Sequence, residues 1–425
     1  MTTSPIKKYP AESADIKHLI SGQRKRNDHY LHSVIQFDRP INVTLLKRAV
    51  EVSFKSVPLL TCRFVETESR AYWEEAGWTA DDMVHLIETT HRERALQKNL
   101  VIKLDETKGP QLRIAVIRSN HADTLAIVLN HMICDGGGIR DYLYLLSSCY
   151  TKLNEKPDDE LNEIPGPGSR SIHQVFDNMN EEQIQQIKNA RLHGYKQTEK
   201  DHLPLEGNES NPFIITHKVT AEQFDKIRKT AKQYGATIND ALFAAYVCAL
   251  SDELDTDLIV LDCPVNLRAC LPDGHQPGIC NLTSNIICAV PSHTGVTFDQ
   301  AIQSVKKVLD EQKNSLEPLK VYWELEEIYQ TLPLNEAKQR FPKVYNIPLN
   351  GMTNIGILDE NQLRFADLHI KDVYISGSVK YVPYFQIAVT TFRKAMTFST
   401  NFHGTEKDYH WLDQFVNKMI SYFPK

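Results

Sequence analysis

Three consecutive glycines between a strand and a helix constrain this chain more than any other feature. Leu125, Ala126, Ile127, Val128 and Leu129 form an unbroken apolar run, the pattern of a short strand buried on both faces. From Ile139 the pattern changes, and Ile139, Tyr142, Leu143, Leu145 and Leu146 recur about one helical turn apart. Between them stands Asn130-His131-Met132-Ile133-Cys134-Asp135-Gly136-Gly137-Gly138. Glycine loses more backbone freedom on folding than any other residue, so this run implies left-handed backbone or close approach of another group. An imidazole such as His131 titrates near neutral pH and can take up and return a substrate proton. Asp135 can orient that ring or pair with a cation from elsewhere. The N–H groups of Gly136 to Gly138 open a helix, where a developing oxyanion is favoured. An isolated histidine here also fits a core residue satisfied by a backbone carbonyl; the glycines and Asp135 weigh against that reading.

Length and composition exclude several classes. A chain of 425 residues exceeds one ordinary core and implies two domains of about 200 residues each. A net charge of −6 gives no electrostatic case for nucleic acid. Eight cysteines, none in a C-x-x-C pair, read as reduced thiols of a cytoplasmic protein, with no metal site and no disulfide framework. The N-terminus lacks a signal-like apolar segment, and the longest apolar run, 241–250, is too short to span a bilayer, so no membrane span is expected. A serine hydrolase is disfavoured because G-x-S-x-G is absent.

In chain order, a polar segment precedes a strand over 30–37 and a helix from about Asn42 with Leu45, Leu46, Ala49, Val50 and Phe54 on one face. Pro58 ends that helix; two strands follow, then a helix over about 90–98 and a strand over 111–118. His29, His32, His85, His91 and His121 have no acidic or glycine context, and solvated or capping roles are expected for each. Residues 154–170, with two Pro-Gly breaks and a run of acids, read as a linker that buries nothing. Asn180 with Gln183, and Thr220 with Gln223, read as capping boxes. The helix opened by Thr220 closes at Gly235. TINDALFAAYVCALS is an unusually apolar helix for a second core. The strand LIVLDCPVN ends at Leu267-Arg268. Beyond it come a helix capped by Thr297, a less regular helical stretch to about Arg340 just short of Pro342, strands over 368–376, 384–391 and 395–402, and a last helix over 408–423.

NHMICDGGG resembles the His-His-x-x-x-Asp-Gly signature of the condensation-domain superfamily of acyltransferases. That superfamily includes nonribosomal peptide condensation domains, polyketide-associated acyltransferases, alcohol acetyltransferases and, more distantly, chloramphenicol acetyltransferase. PLLTCRF, GATINDALFAAYVCAL, PVNLR, GICNLTSN and MTNIG resemble further segments of the family, in the family's order. The resemblance implies an α/β (α+β) fold of two chloramphenicol-acetyltransferase-like halves, a V-shaped pseudo-dimer with the active-site cleft between them. The halves are expected at 1–165 and 170–425. It implies that His131 is catalytic and that Asp135 is mainly structural, paired with Arg268. Asn130 replaces the first histidine of the signature, although plant-type relatives keep only the His-x-x-x-Asp part. Gly136, Gly137, Thr353 and Asn354 become oxyanion or tunnel candidates, a turn before a strand being the other reading of the last two. The activity implied is transfer of an acyl group from coenzyme A or a carrier-protein phosphopantetheine to a hydroxyl or amine. These thioesters are co-substrates, with no bound cofactor, and the partners are a small-molecule acceptor and an acyl or peptidyl carrier protein. The alternative is a catalytically weak relative that binds a carrier protein or small molecule as a recruiting module.

Overall fold

In a computed structural model, which describes residues 6–156, 164–192, 198–313 and 315–424, the apolar run becomes the middle of the strand Ala122–Asn130. Every residue of that strand after Ala122 is buried, as its double-sided apolar pattern requires. It lies at the centre of a five-stranded sheet ordered Ile370–Ser376, Tyr30–Phe37, Ala122–Asn130, Leu112–Ser119, Val84–Glu88. Antiparallel pairing sets Tyr30 opposite Asn130, so the end of the central strand is fixed in register. The helices Val43–Ser53 and Gly136–Glu155 pack together, with Ser53 Oγ and Tyr142 Oη 3.4 Å apart. Leu125, Ile127, Ile139 and Leu143 belong to one apolar core on this side.

A second, six-stranded sheet is ordered Thr283–Pro291, Leu258–Asn266, Asn350–Leu358, Phe385–Phe392, Ala395–His403, Pro212–Val219. Its core is built around the helix Ile238–Ser251, buried from Asp240 to its last residue, as its all-round apolar sequence demands. A three-stranded sheet, ordered Lys8–Pro10, Ala71–Glu75, Cys62–Glu66, completes the mixed α/β architecture of two halves. The sheets do not follow a single cut of the chain near 165–170. The strand Ile370–Ser376 closes the edge of the first sheet by pairing with Tyr30–Phe37, and Tyr329, Leu334 and Phe341 are buried in the first core. Among the described residues, no helix is long and apolar enough to cross a membrane.

Several local expectations are corrected. The opening polar segment contains a helix, Ser13–Gln23, started by a reciprocal Glu12–Asp15 capping box in which Asp15 Oδ2 accepts the Glu12 N–H at 3.1 Å. The linker does bury side chains: Ile164 lies in the first core, and Arg170 pairs with the buried Asp15 at 2.8 Å. The linker's residues 157–163 lie outside the described residues. Thr220 caps its helix from one side, Oγ1 accepting from Gln223 N, with no return bond from the Gln223 side chain. Pro342 sits inside the helix Leu334–Val344 instead of after it, in the last turn where the lost N–H removes a single bond. His29 and His32 are buried, not solvated: His29 Nε2 lies 3.4 Å from Glu106, and His32 Nδ1 lies 2.8 Å from the Gly377 carbonyl.

Candidate active site

The turn after the central strand is tied down from four directions. Asn130, fully buried, donates from Nδ2 to Gln111 Oε1 at 2.8 Å and accepts the Met132 N–H at 2.9 Å. The His131 N–H donates to the His29 carbonyl at 2.9 Å. Asn281 Nδ2 donates to the carbonyls of His131 (2.9 Å) and Met132 (3.0 Å), and Arg170 Nη2 donates to Met132 O at 3.2 Å. Asn281 belongs to the GICNLTSN segment, so the second half holds the backbone that aims His131. Asn130 thus serves the turn's hydrogen bonding and does not line the cavity that receives the imidazole. Asn130→His is expected to keep activity within about tenfold, a barrier change of roughly 1.4 kcal/mol. Asn130→Leu is expected to cost about 1–3 kcal/mol for each buried group it orphans, read from denaturant unfolding midpoints. Greater than tenfold loss in a folded Asn130→His protein would contradict this assignment.

The helix Gly136–Glu155 begins with all three glycines in its first turn, none at positive φ. The glycines therefore serve close approach, not left-handed backbone. A Cβ on Gly137 would lie 2.9 Å from Arg268 Nη1, one on Gly136 would meet Ile355 Cδ1 at 2.7 Å, and one on Gly138 would meet Cys134 Cβ at 2.5 Å. Arg268 and Ile355 cross the helix end through the space that side chains would fill.

Asp135 is the N-cap of that helix, its Oδ1 accepting the Gly138 N–H at 2.8 Å. Its Oδ2 accepts from Arg268 Nη1 (3.0 Å), Leu282 N (2.7 Å) and Thr283 Oγ1 (2.7 Å). Arg268 spends Nη2 on the Cys280 carbonyl at 2.9 Å. Burial alone would raise the Asp135 pKa, but the Arg268 charge and these hydrogen bonds bring it down to about 2. The carboxylate is thus saturated by structure and ionised, with no atom left to handle a substrate proton.

His131 lines a cavity of about 150 Å³ at the junction of the two halves. Gly136, Gly137, Thr353 and Asn354 line it too, whereas Arg268 stands behind Asp135. Thr353 and Asn354 lie in mid-strand, in Asn350–Leu358, at an irregularity before Gly356 and not in a turn. Asn354 Oδ1 accepts the Gly356 N–H at 3.0 Å, which leaves its Nδ2 as the donor available to a ligand. His131 Nδ1 makes no hydrogen bond to another described residue, and burial lowers the ring's pKa to about 4, with Lys17 and Lys380 adding to the effect. The ring is neutral at pH 7 and holds one free lone pair.

Sequence reasoning missed His18, whose ring stacks on His131 with centroids 3.8 Å apart and 24° between planes. It comes from the overlooked helix Ser13–Gln23, and burial and the His131 ring push its pKa well down. Glu12, Asp15, Ile16, Leu19 and Ile20 carried the signal of that helix: a capping pair followed by apolar residues at helical spacing. A pH profile of kcat/KM should carry the His131 limb near pH 4 instead of 6.5. The neutral form exists above its folded pKa, so activity falls only as pH drops through about 4. A limb at 6.5 with a non-titrating acceptor would show that the ring is not buried as described.

A two-halved α/β fold with a histidine, a capped glycine turn and an interhalf cavity defines a class of protein. The condensation-domain family model matches residues 19–421, so the chain belongs to the condensation-domain family. The structure is similar to that of a trichothecene 15-O-acetyltransferase from Fusarium sporotrichioides (15% identity, TM-score 0.68, covering 100% of this chain and 97% of that one). It is similar to polyketide synthase associated protein 5 from Mycobacterium tuberculosis (15%, 0.66, 99% and 98%). It is also similar to the first condensation domain of the calcium-dependent antibiotic synthetase (12%, 0.66, 98% and 96%). At these identities the likeness concerns the fold. No curated protein is significantly similar to the chain in sequence.

Proposed function

We propose that this chain is an acyltransferase that moves an acyl group from a thioester to a hydroxyl or amine, with His131 as general base. The observation that carries the reading is a neutral imidazole at a rigidly tied turn, facing a cavity shared by both halves. The acceptor O–H or N–H gives its proton to His131 as its oxygen or nitrogen attacks the thioester carbonyl. The C–S bond then breaks as the ester or amide forms, and the proton passes to the departing thiolate. No covalent enzyme intermediate is required, because both reactants are held together in one site. The first N–H groups of the helix at Gly136 and Gly137, with Thr353 Oγ1 and Asn354 Nδ2, are the donors available to the oxyanion. Asp135 and Arg268 support the turn and take no part in proton transfer.

Coenzyme A or a carrier-protein phosphopantetheine supplies the thioester as co-substrate, and a carrier protein is then a partner. Family membership and the acetyltransferase neighbour support acyl transfer, and membership of the condensation-domain family supports the carrier route. Eight unpaired cysteines, seven of them buried, support a reducing compartment such as the cytoplasm. The test is incubation with acyl-CoA and acyl-carrier mixtures plus a panel of alcohols and amines, followed by mass spectrometry of the small molecules. Acylated acceptor from wild type and its loss in His131→Ala are expected. Tight binding of carrier or acceptor without product from any pair would favour the recruiting-module reading.

A further inference from the structure

The cavity beside His131 holds two buried lysines against one carboxylate, Asp262, that is not committed to an arginine, in a chain whose net charge is −6. Lys17, 5% exposed, comes from the helix Ser13–Gln23, and Lys380, 8% exposed, precedes the strand Phe385–Phe392. Lys17 Nζ donates to two neutral oxygens, Tyr322 Oη at 2.8 Å and the Thr283 carbonyl at 3.4 Å. Lys380 Nζ has no hydrogen bond or ion pair among the described residues.

The other charged groups on the wall are already engaged. Asp135 is committed to Arg268, and Asp262 accepts from Asn285 Nδ2 at 2.6 Å. Among the described residues neither carboxylate is in ion-pair contact with either lysine; Asp262 attracts both from a distance, Asp135 attracts Lys17 and the buried Asp28 attracts Lys380, which leaves the two ammoniums only partly compensated. Arg140 is held by Asp141 at 3.0 Å. The positive end of the helix Gly136–Glu155 adds to the imbalance. Burial pushes both lysines down to about 8 against the pull of these carboxylates, and Asp262 up to about 6 against the pull of the lysines. An apolar side chain would fill the same space without the desolvation cost of an ammonium, so packing does not account for two lysines here.

We propose that Lys17 and Lys380 bind a carboxylate on the molecule that reacts at His131, making a short carboxylic acid the preferred substrate. The inference rests on the acyl-transfer reading, since that reading is what places a reacting molecule at His131. Two sources carry the chemistry: a hydroxy or amino acid as acceptor, or a dicarboxylic acyl group on the donor thioester. A cavity of about 150 Å³ admits only the reacting end of either, well under the roughly 300–1,000 Å³ of sites for drug-sized ligands.

Titration calorimetry of the wild-type chain at pH 7 tests this without turnover. Short hydroxy, amino and dicarboxylic acids are compared with their primary amides at matched ionic strength, with acetate and chloride as controls. At least one acid is expected to bind tenfold or more tightly than its amide and than acetate. Lys380→Gln is expected to erase that preference, and Lys380→Arg to retain it. Acids and amides binding alike, no acid binding at all, or full acid preference in folded Lys380→Gln protein would each overturn the proposal. Should Lys380→Gln fail to fold, the wild-type acid–amide comparison decides alone. Turnover of acid acceptors with a neutral acyl thioester, against neutral alcohols with a succinyl thioester, separates the two sources. Acid binding that survives where no acyl transfer is found would sink the catalytic reading and leave the carboxylate site standing.

Discussion

Arg268→Ala is expected to lower the unfolding free energy by about 3–5 kcal/mol, the cost of leaving a buried carboxylate without its cation. Asp135 is 2% exposed and Arg268 12% in their side chains, so solvent screens the pair little. Asp135→Asn should also destabilise, because the N-cap and the Leu282 and Thr283 contacts weaken with the charge. The double variant should lose less than the sum, since each single change leaves the other partner stranded. Additive losses in denaturant midpoints would mean that the pair is not coupled. The same pair sets an acid limb. Asp135 titrates at about 2 when folded against about 3.9 unfolded, so its contribution is complete above about pH 5 and is lost progressively as pH falls through about 2 towards about 1. That loss amounts to roughly 2.5 kcal/mol, and it should be missing from Asp135→Asn.

His131→Ala is expected to reduce kcat by about 10²–10⁴ with a hydroxyl acceptor, while thermal unfolding and far-UV circular dichroism stay near wild type. The fold should survive because the turn is held through the His131 backbone, by His29 and Asn281, while the ring adds a single stack on His18. An amine already nucleophilic at the assay pH should show a smaller drop, as it needs less help from a base. Near-full turnover of a hydroxyl acceptor by folded His131→Ala protein would remove His131 from the chemistry.

The parts of this site that are local in sequence were legible, and those assembled by the fold were not. The strand, the turn and the glycine-led helix announce themselves because the hydrophobic period changes within a few residues of His131. The glycines at 136–138 demand an explanation, yet residue type alone cannot separate positive φ from close approach; Arg268 and Ile355, more than 130 and 215 residues away, supply the reason. Lys17, Asp262 and Lys380 carry no local signature at all, since an isolated lysine or aspartate in a sequence reads as surface until the fold buries it. His18 was missed because its helix opens on glutamate at the N-cap, a residue with weak capping preference, instead of Ser, Thr, Asp or Asn. The strand Ile370–Ser376 was found, but not the sheet it joins, because pairing with Tyr30–Phe37 is a long-range choice that periodicity does not encode.

The most direct test of the account is rapid-quench mass spectrometry of the wild-type chain with an acyl thioester, first alone and then with acceptor. Direct attack predicts no mass increase on the protein without acceptor, and acylated acceptor and free thiol in equal amounts once acceptor is added. A protein that gains one acyl group from the thioester alone and then passes it to the acceptor would contradict the mechanism assigned to His131.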